Sequence, residues 1–401
     1  MNLASQLVRK IDDQTLSREE RVQLRCQLAK ELEEAGNFEA ARSAMGELWQ
    51  RIGDRPKLDG LDQHTSAEVL LRVGTLSGWI GSAKQIEGAQ EIAKNLISES
   101  VTIFQALQAA EKVAESRVDL AICYWREGAS DEARVILRDT LSQLVDIDSE
   151  QKARALMNSA IVEASTNRLN DALRILTEAA PLFGRSHSHA MKGRFHTNLA
   201  LVLKNLGEAE QREDYIDRAL VENAAASFHL EQAGHIRYRA GVENNLGFLF
   251  STAGKFTEAH NHLDRARRLF VSLKDSVHTA QVDETRARAF LAEGRNQEAE
   301  KVARAAVRTL EKGDEHSLLA EALRTYAVAV ARLGHQDRAR VSLERAIEVA
   351  EQAGDIEGGG VAALTMIEEL DRSLTPDEMS TVYERADDLL ARTQHPGTPV
   401  R

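Results

Sequence analysis

Cysteine, proline and aromatic residues are all scarce in this chain, and each scarcity excludes something. Two cysteines, Cys26 and Cys123, cannot staple 401 residues, so no disulfide framework is expected and a reducing compartment is implied. Both sit in helical patterns, which predicts small buried hydrophobes in place of reactive thiols. Only five prolines interrupt the chain, and the abundance of Ala, Leu, Glu and Arg agrees with an almost wholly helical protein. With 4% aromatic residues, the core must be built from Ala and Leu rather than rings. No run of eighteen apolar residues occurs, so no membrane-spanning helix is expected. The first residues lack a basic region followed by an apolar stretch, which predicts no secretory leader and, with the cysteine usage, a cytoplasmic location. A net charge of −12 with interspersed signs argues against general affinity for nucleic acid or an anionic membrane.

Catalytic signatures are missing too. The sequence has no His-Glu-x-x-His, no Gly-x-Ser-x-Gly, no phosphate-binding glycine loop and no Cys-x-x-Cys pair, so neither an enzyme nor a cofactor is expected. His187, His189 and His196 form the one histidine cluster to weigh as a metal site. It has no carboxylate in register and is read as a solvated connection between repeats. His260 and His262 fall on different faces of a helix and are read as surface.

What the chain does have is a repeat. A turn residue returns at Gly36, Gly81, Gly128, Asn167, Gly207, Gly254, Gly294 and Gly334, with spacings from Gly81 onward of 47, 39, 40, 47, 40 and 40. A small residue follows five positions later at Ala41, Ala133, Ala172, Ala259, Ala299 and Ala339. One turn and two helices per fixed period is the mark of a solenoid. The clearest unit spans residues 241–266, where Leu246, Gly247, Phe250, Gly254, Phe256, Ala259, Leu263 and Ala266 recur at helical spacing around a Gly turn. Gly247 and Ala259 are small because two backbones must approach there. This pattern resembles the tetratricopeptide repeat (TPR). The resemblance implies an all-α fold: a right-handed TPR-like α–α superhelix of about eight helix-turn-helix repeats with a C-terminal capping helix.

Residues 1–50 then read as a TPR-like helix pair opened by a capping box at Ser17 and Glu20, and residues 51–65 as a linker loop. Thr65 and Glu68 have capping-box spacing for the next helix. Residues 66–392 form the superhelix with its capping helix, which starts at Thr375 and Pro376. Residues 393–401 read as a disordered tail. After Gly81 and Gly207 the small residue comes twelve positions later, at Ala93 and Ala219, which predicts extended second helices or a bulky turn in those two repeats.

Nine residues before each turn stand Gln27, Arg72, Asp119, Asn158, Asn198, Asn245, Thr285 and Thr325, all polar. Three in succession are Asn, a residue with only 13 copies in the chain and a poor helix former, so the repetition asks for a reason. A carboxamide offers an acceptor and two donors and can grip an extended main chain. Asn158, Asn198 and Asn245 look like the inner-groove asparagines of kinesin light chains, spindle-orientation scaffolds and bacterial peptide-pheromone receptors. The alternative is that they bond between neighbouring helices. Arg154 and Arg194 precede their Asn by four, and Lys204 and Asn205 follow Asn198 by one to two turns. On this reading Arg154, Arg194 and Lys204 line the groove without a facing acid, favouring an acidic or C-terminal-carboxylate segment.

Three functions are compatible with these features. The leading one is a non-catalytic adaptor or regulator that binds another protein through an extended or helical, acidic peptide. The second is a sensor of a small ligand or signalling peptide, and the third is a self-assembling scaffold. The sequence leaves the oligomeric state open.

Overall fold

A computed structural model describes residues 3–392 apart from 12, 14, 85 and 145–148, so the expected tail at 393–401 lies outside the described residues. These residues form nineteen α-helices and no strand. A short helix α1 (Leu3–Ile11) precedes a series of antiparallel pairs: α2 (Arg18–Glu34) with α3 (Phe38–Met45), α4 (Gln63–Ala83) with α5 (Ala89–Ala106), α6 (Ala110–Arg126) with α7 (Ser130–Gln143), and α8 (Glu150–Ser165) with α9 (Leu169–Arg185). The series continues with α10 (His189–Glu210) and α11 (Glu213–Ala233), α12 (Ile236–Thr252) and α13 (Phe256–Ser272), and α14 (Ser276–Ala292) and α15 (Asn296–Leu310). It ends with α16 (His316–Arg332) and α17 (Gln336–Gln352), then α18 (Ile356–Leu370) and α19 (Pro376–Ala391). The final helix therefore has a partner, and a ninth pair closes the series.

The turn inside each of the first eight pairs is made by one residue with positive φ. Gly36, Gly88, Gly128, Gly254, Gly294 and Gly334 supply it at little cost, while Asn167 (φ 58°) and Gln211 (φ 53°) adopt it without that freedom. Five residues past six of these glycines and Asn167 stand Ala41, Ala93, Ala133, Ala172, Ala259, Ala299 and Ala339, every one fully buried. Only a methyl group fits where the second helix crosses the first. Gly247 makes the reciprocal fit, since a Cβ built there would lie 2.4 Å from Leu263 Cγ.

Two sequence expectations are corrected at this point. Gly81 and Gly207 lie inside α4 and α10 and not in turns. A Cβ at Gly81 would come 2.2 Å from that of Ala89, and one at Gly207 would come 2.7 Å from Ile216 Cδ1. These glycines serve close helix packing, and the turns come later at Gly88 and Gln211. The extra residues lengthen the first helices, α4 to 21 residues and α10 to 22, against 17 in α12. Of the second helices, α11 is long at 21 residues and α5 has 18. The cap of α4 is likewise Asp62, whose Oδ1 accepts from the Thr65 amide at 2.6 Å, and not Thr65 itself. The capping boxes at Ser17 with Glu20 and at Thr375 with Glu378 are both present.

The chain divides into two compact units. Unit 1 comprises Met1–Leu206 and Phe228–Tyr238, and unit 2 comprises Gly207–Ser227 and Arg239–Arg401. In unit 1, Leu7 and Ile11 of α1 join Val22, Cys26, Met45, Trp49 and Leu76 in the first core cluster. The Cys26 and Cys123 thiols are buried, and burial pushes both up to about 12, so they are inert apolar filling. In unit 2, Leu343, Ile347, Met366, Leu370 and Leu389 tie the last pairs together. Each such side chain contributes about 1.5–3 kcal/mol through burial. No helix among the described residues is long and apolar enough to cross a membrane.

Candidate functional site

Several first helices of unit 1 share a face, and that face is charged. Arg72, on α4 and 2% exposed, donates from Nη2 to Glu115 Oε1 of α6 at 2.7 Å and from Nη1 to Glu33 Oε2 of α2 at 3.4 Å. Its Nη2 also lies 3.7 Å from Asp119 Oδ2. From α8, Arg154 donates to Asp119 Oδ1 at 3.1 Å and stands 3.8 Å from Glu115 Oε1. Lys30 and Lys112 reach the two Glu115 oxygens at 2.8 and 3.1 Å, and Lys112 also pairs with Glu68. Four helices are thus joined by one buried ionic network.

The acids within it behave differently. Burial works against the Glu115 carboxylate, yet Arg72, Lys30, Arg154 and Lys112 together hold it far below the usual carboxylate range. Glu33 is the weak member. Burial, only partly offset by Arg72 and reinforced by Asp119 and Glu34, raises its carboxyl to about 7. Arg72 and Arg154 stay charged, because burial is outweighed for Arg72 chiefly by Glu115 and for Arg154 chiefly by Asp119.

Arg126 belongs to the same face but not to the network. It lies two helical turns beyond Asp119 on α6, and its guanidinium sits 3.4 Å from the centroid of Trp79, which stacks in turn on Phe38 at 5.1 Å. No acid among the described residues comes within ion-pair reach of Arg126. Its Nη2 is buried without a hydrogen-bond acceptor, and burial pushes the group down to about 10. The start of α12 completes this region. Tyr238 lies against Gly36, where a Cβ would come 3.3 Å from Tyr238 Cε2, and burial raises its phenol. Arg72 Nε, Arg154 Nη1, Ser77 Oγ and His235 Nδ1 are also buried without a hydrogen-bond partner among the described residues.

The residues singled out from the sequence fare unevenly. Arg154 was expected to lack a facing acid, and Asp119 and Glu115 overturn that. These acids lie one repeat earlier and across the helix interface, where spacing along α8 gives no hint of them. Arg194 is half-buried and close enough to His235 and Tyr238 to act on their ionisation. Asn158 is 5% exposed on α8. Asn198 is half-buried and donates to the Arg194 carbonyl of its own helix at 3.0 Å. Lys204 Nζ lies 3.4 Å from Asn205 Oδ1, both half-buried. Asn245 is exposed and lies in unit 2. At the matching position Arg72 and Asp119 bond across neighbouring helices, and Thr325 does so in unit 2, donating to Glu284 Oε1 at 2.6 Å. Reading residues by position missed Arg126 and Trp79. The seven-residue step from Asp119 to Arg126, which keeps one helix face, is the signal that would have found Arg126.

The histidines are engaged as well. His189 and His229 Nδ1 atoms lie 2.8 Å apart, and His196 stacks on His229 at 5.5 Å. His260 pairs with Glu293, and His262 bonds Glu243 Oε2 at 2.7 Å; both were read as surface and are half-buried. Among the described residues no group of three or more His, Cys, Asp or Glu is arranged to hold a metal. In unit 2 a cleft of about 230 Å³ is lined by Glu321, Arg324 and Asp355.

The helix pairs, their positive-φ turns and the buried alanines can be set beside known proteins. No family model and no curated protein matches the sequence. Solved structures do match. A signal-transduction ATPase from Pyrococcus horikoshii with a tetratricopeptide-repeat sensor aligns over 98% of this chain and 66% of its own, at 12% identity and TM-score 0.57. This chain has the TPR fold. A Rap protein complexed with competence and sporulation factor shares the TPR-type fold over 93% of this chain and 99% of its own (13% identity, TM-score 0.60). The apo form of RapI does so over 99% and 100% (12% identity, TM-score 0.59).

Proposed function

We propose that this TPR protein is a non-catalytic adaptor or regulator that holds a segment of a partner protein against the charged first-helix face of unit 1. The observation that carries this reading is the gathering of Arg72, Arg126, Arg154 and Arg194 from four first helices around Asp119 and Tyr238, with Arg126 unpaired by any acid among the described residues. Desolvated guanidinium groups recognise carboxylates through paired, charge-assisted bonds. An acidic segment is therefore the favoured ligand, with Asn158, Asn198 and Asn205 offering carboxamides to its main chain and Lys204 adding charge. A solved Rap protein of this fold is a complex with competence and sporulation factor, which supports a sensor of a small signalling ligand as the second reading.

The test is fluorescence polarisation of the full chain against labelled octapeptides of acidic, neutral and basic composition. Saturable binding of acidic peptides, weakened by Asn198→Ala or Arg194→Ala with helicity retained, is expected. Equal binding of all three classes, or preference for basic ones, would contradict it.

A further inference from the structure

We propose that Arg126 is the anchor of a carboxylate-binding site on unit 1, with Trp79 as its rigid backing and Arg72 and Arg154 as flanking cations. The inference deepens the peptide-binding reading and rests on it for the source of the carboxylate. Three features of the geometry carry it.

The first is the missing partner. Arg72 and Arg154, the buried arginines of this face, each meet two or more acids, whereas the half-buried Arg126 meets none among the described residues. A guanidinium removed from water without an anion is costly, and structures keep one where a ligand supplies the anion. The second is preorganisation. The stack of Phe38, Trp79 and Arg126 fixes the plane of the guanidinium, so its donors point in a set direction and little freedom is lost on binding. The third is a surplus of donors. Arg126 Nη2, Arg154 Nη1 and Arg72 Nε are buried nitrogens with no hydrogen-bond acceptor among the described residues, Arg154 Nη1 standing 3.8 Å from Glu115 Oε1.

The neighbours select the kind of anion. Asp119 and Glu33 both act on Arg126, and Glu34 acts on Glu33. A phosphate dianion, which concentrates two charges on one group, would be repelled by these acids more strongly than a carboxylate group, which carries one. A planar carboxylate matches the two-pronged fork of a fixed guanidinium. It would come from a peptide C-terminus or from an Asp or Glu side chain.

Trp79 makes the site observable. The chain has three tryptophans, so Trp49→Phe with Trp125→Phe leaves Trp79 as the sole indole and hence the reporter of its stacked cation. This variant is titrated with succinate, with inorganic phosphate, and with one acidic octapeptide bearing a free or an amidated C-terminus. Saturable change in Trp79 emission with succinate, and not with phosphate, is expected. Arg126→Gln should abolish it with circular dichroism unchanged. Arg126→Lys, which keeps the charge and loses the fork, should weaken it at least tenfold and guards against a folding failure of the first variant. Amidation that weakens the peptide assigns the carboxylate to the C-terminus, and its indifference assigns it to a side chain, provided that Asp→Asn and Glu→Gln replacement in the peptide weakens binding. Peptide binding with no response to succinate, unaltered by Arg126→Gln, would overturn this site while leaving the adaptor reading in place. A succinate response with no peptide bound would keep the site and remove the adaptor. Phosphate outcompeting succinate would overturn the assignment of the ligand.

Discussion

Arg72 and Glu115 meet at 2.7 Å with each side chain only 2% exposed, joining α4 to α6 at the centre of unit 1. A charged contact this deep is poor evidence of stability in itself, because two ions must be taken from water to make it. It is strong evidence of interdependence. Glu115 is shared by Arg72, Lys30, Lys112 and Arg154, so removing one residue strands several partners. The network ties four first helices of unit 1 to one another.

Breaking the network should therefore cost more than any surface pair. Glu115→Gln is expected to destabilise unit 1 by about 3–5 kcal/mol, the loss typical of an uncompensated buried charge. Arg385→Gln, which breaks an exposed pair with Glu351, should cost about 1 kcal/mol at most. Trp49, Trp79 and Trp125 all lie in unit 1, so urea unfolding followed by tryptophan fluorescence reports that unit alone.

Glu33 should make the same transition depend on pH. Its carboxyl is raised from an ordinary 4.5 to about 7, so the folded state holds a proton that the unfolded chain releases. The contribution is complete below pH 4.5 and is lost as pH rises through 7. The urea midpoint should accordingly drop between pH 5 and pH 8 in the wild type and stay flatter in Glu33→Gln. Parallel curves for the two proteins would show that Glu33 is ionised at neutral pH.

His229 predicts a change in the opposite direction. Burial, followed by the charges of His196, His189 and Lys192, lowers its pKa below the ordinary 6.5. The unfolded chain takes up the proton first, so stability is full above pH 6.5 and declines as pH falls below it. Thermal scans at pH 7.5, 6.5 and 5.5 should show a decline that His229→Gln reduces.

Two glycines six residues apart on α12 test the packing of the repeat. A Cβ at Gly247 would come 2.4 Å from Leu263 Cγ and 3.2 Å from the Ala259 carbonyl, so Gly247→Ala should destabilise by about 1–3 kcal/mol despite its better helix propensity. Nothing lies within 4 Å of a Cβ at Gly241, where the same change should stabilise by about 0.5–1 kcal/mol. Melting of the full chain by circular dichroism separates the two.

The fold was legible because its rule is local. Gly254 and Ala259 are five residues apart in the chain, and their turn and crossing are set within that distance. The rule failed at Gly81 and Gly207, since a glycine that lets two helices touch and a glycine that turns the chain are the same letter. Gly88, with Ala93 five residues on, was the turn that the pattern should have chosen. The site was less legible because its pairings are not local. Along α8 the acid in register with Arg154 is Glu150, four residues before it, yet Asp119 meets it from another repeat, 35 residues away. The seven-residue step from Asp119 places Arg126 on that face, but neither its missing acid nor its stack on Trp79 can be read along one helix.

The most direct test of the account is hydrogen exchange of the full chain with and without the tightest-binding acidic octapeptide. The account predicts protection concentrated on the first helices α6, α8 and α10, around Arg126, Arg154 and Arg194. Protection confined to the second helices α7 and α9, or to unit 2, would contradict it.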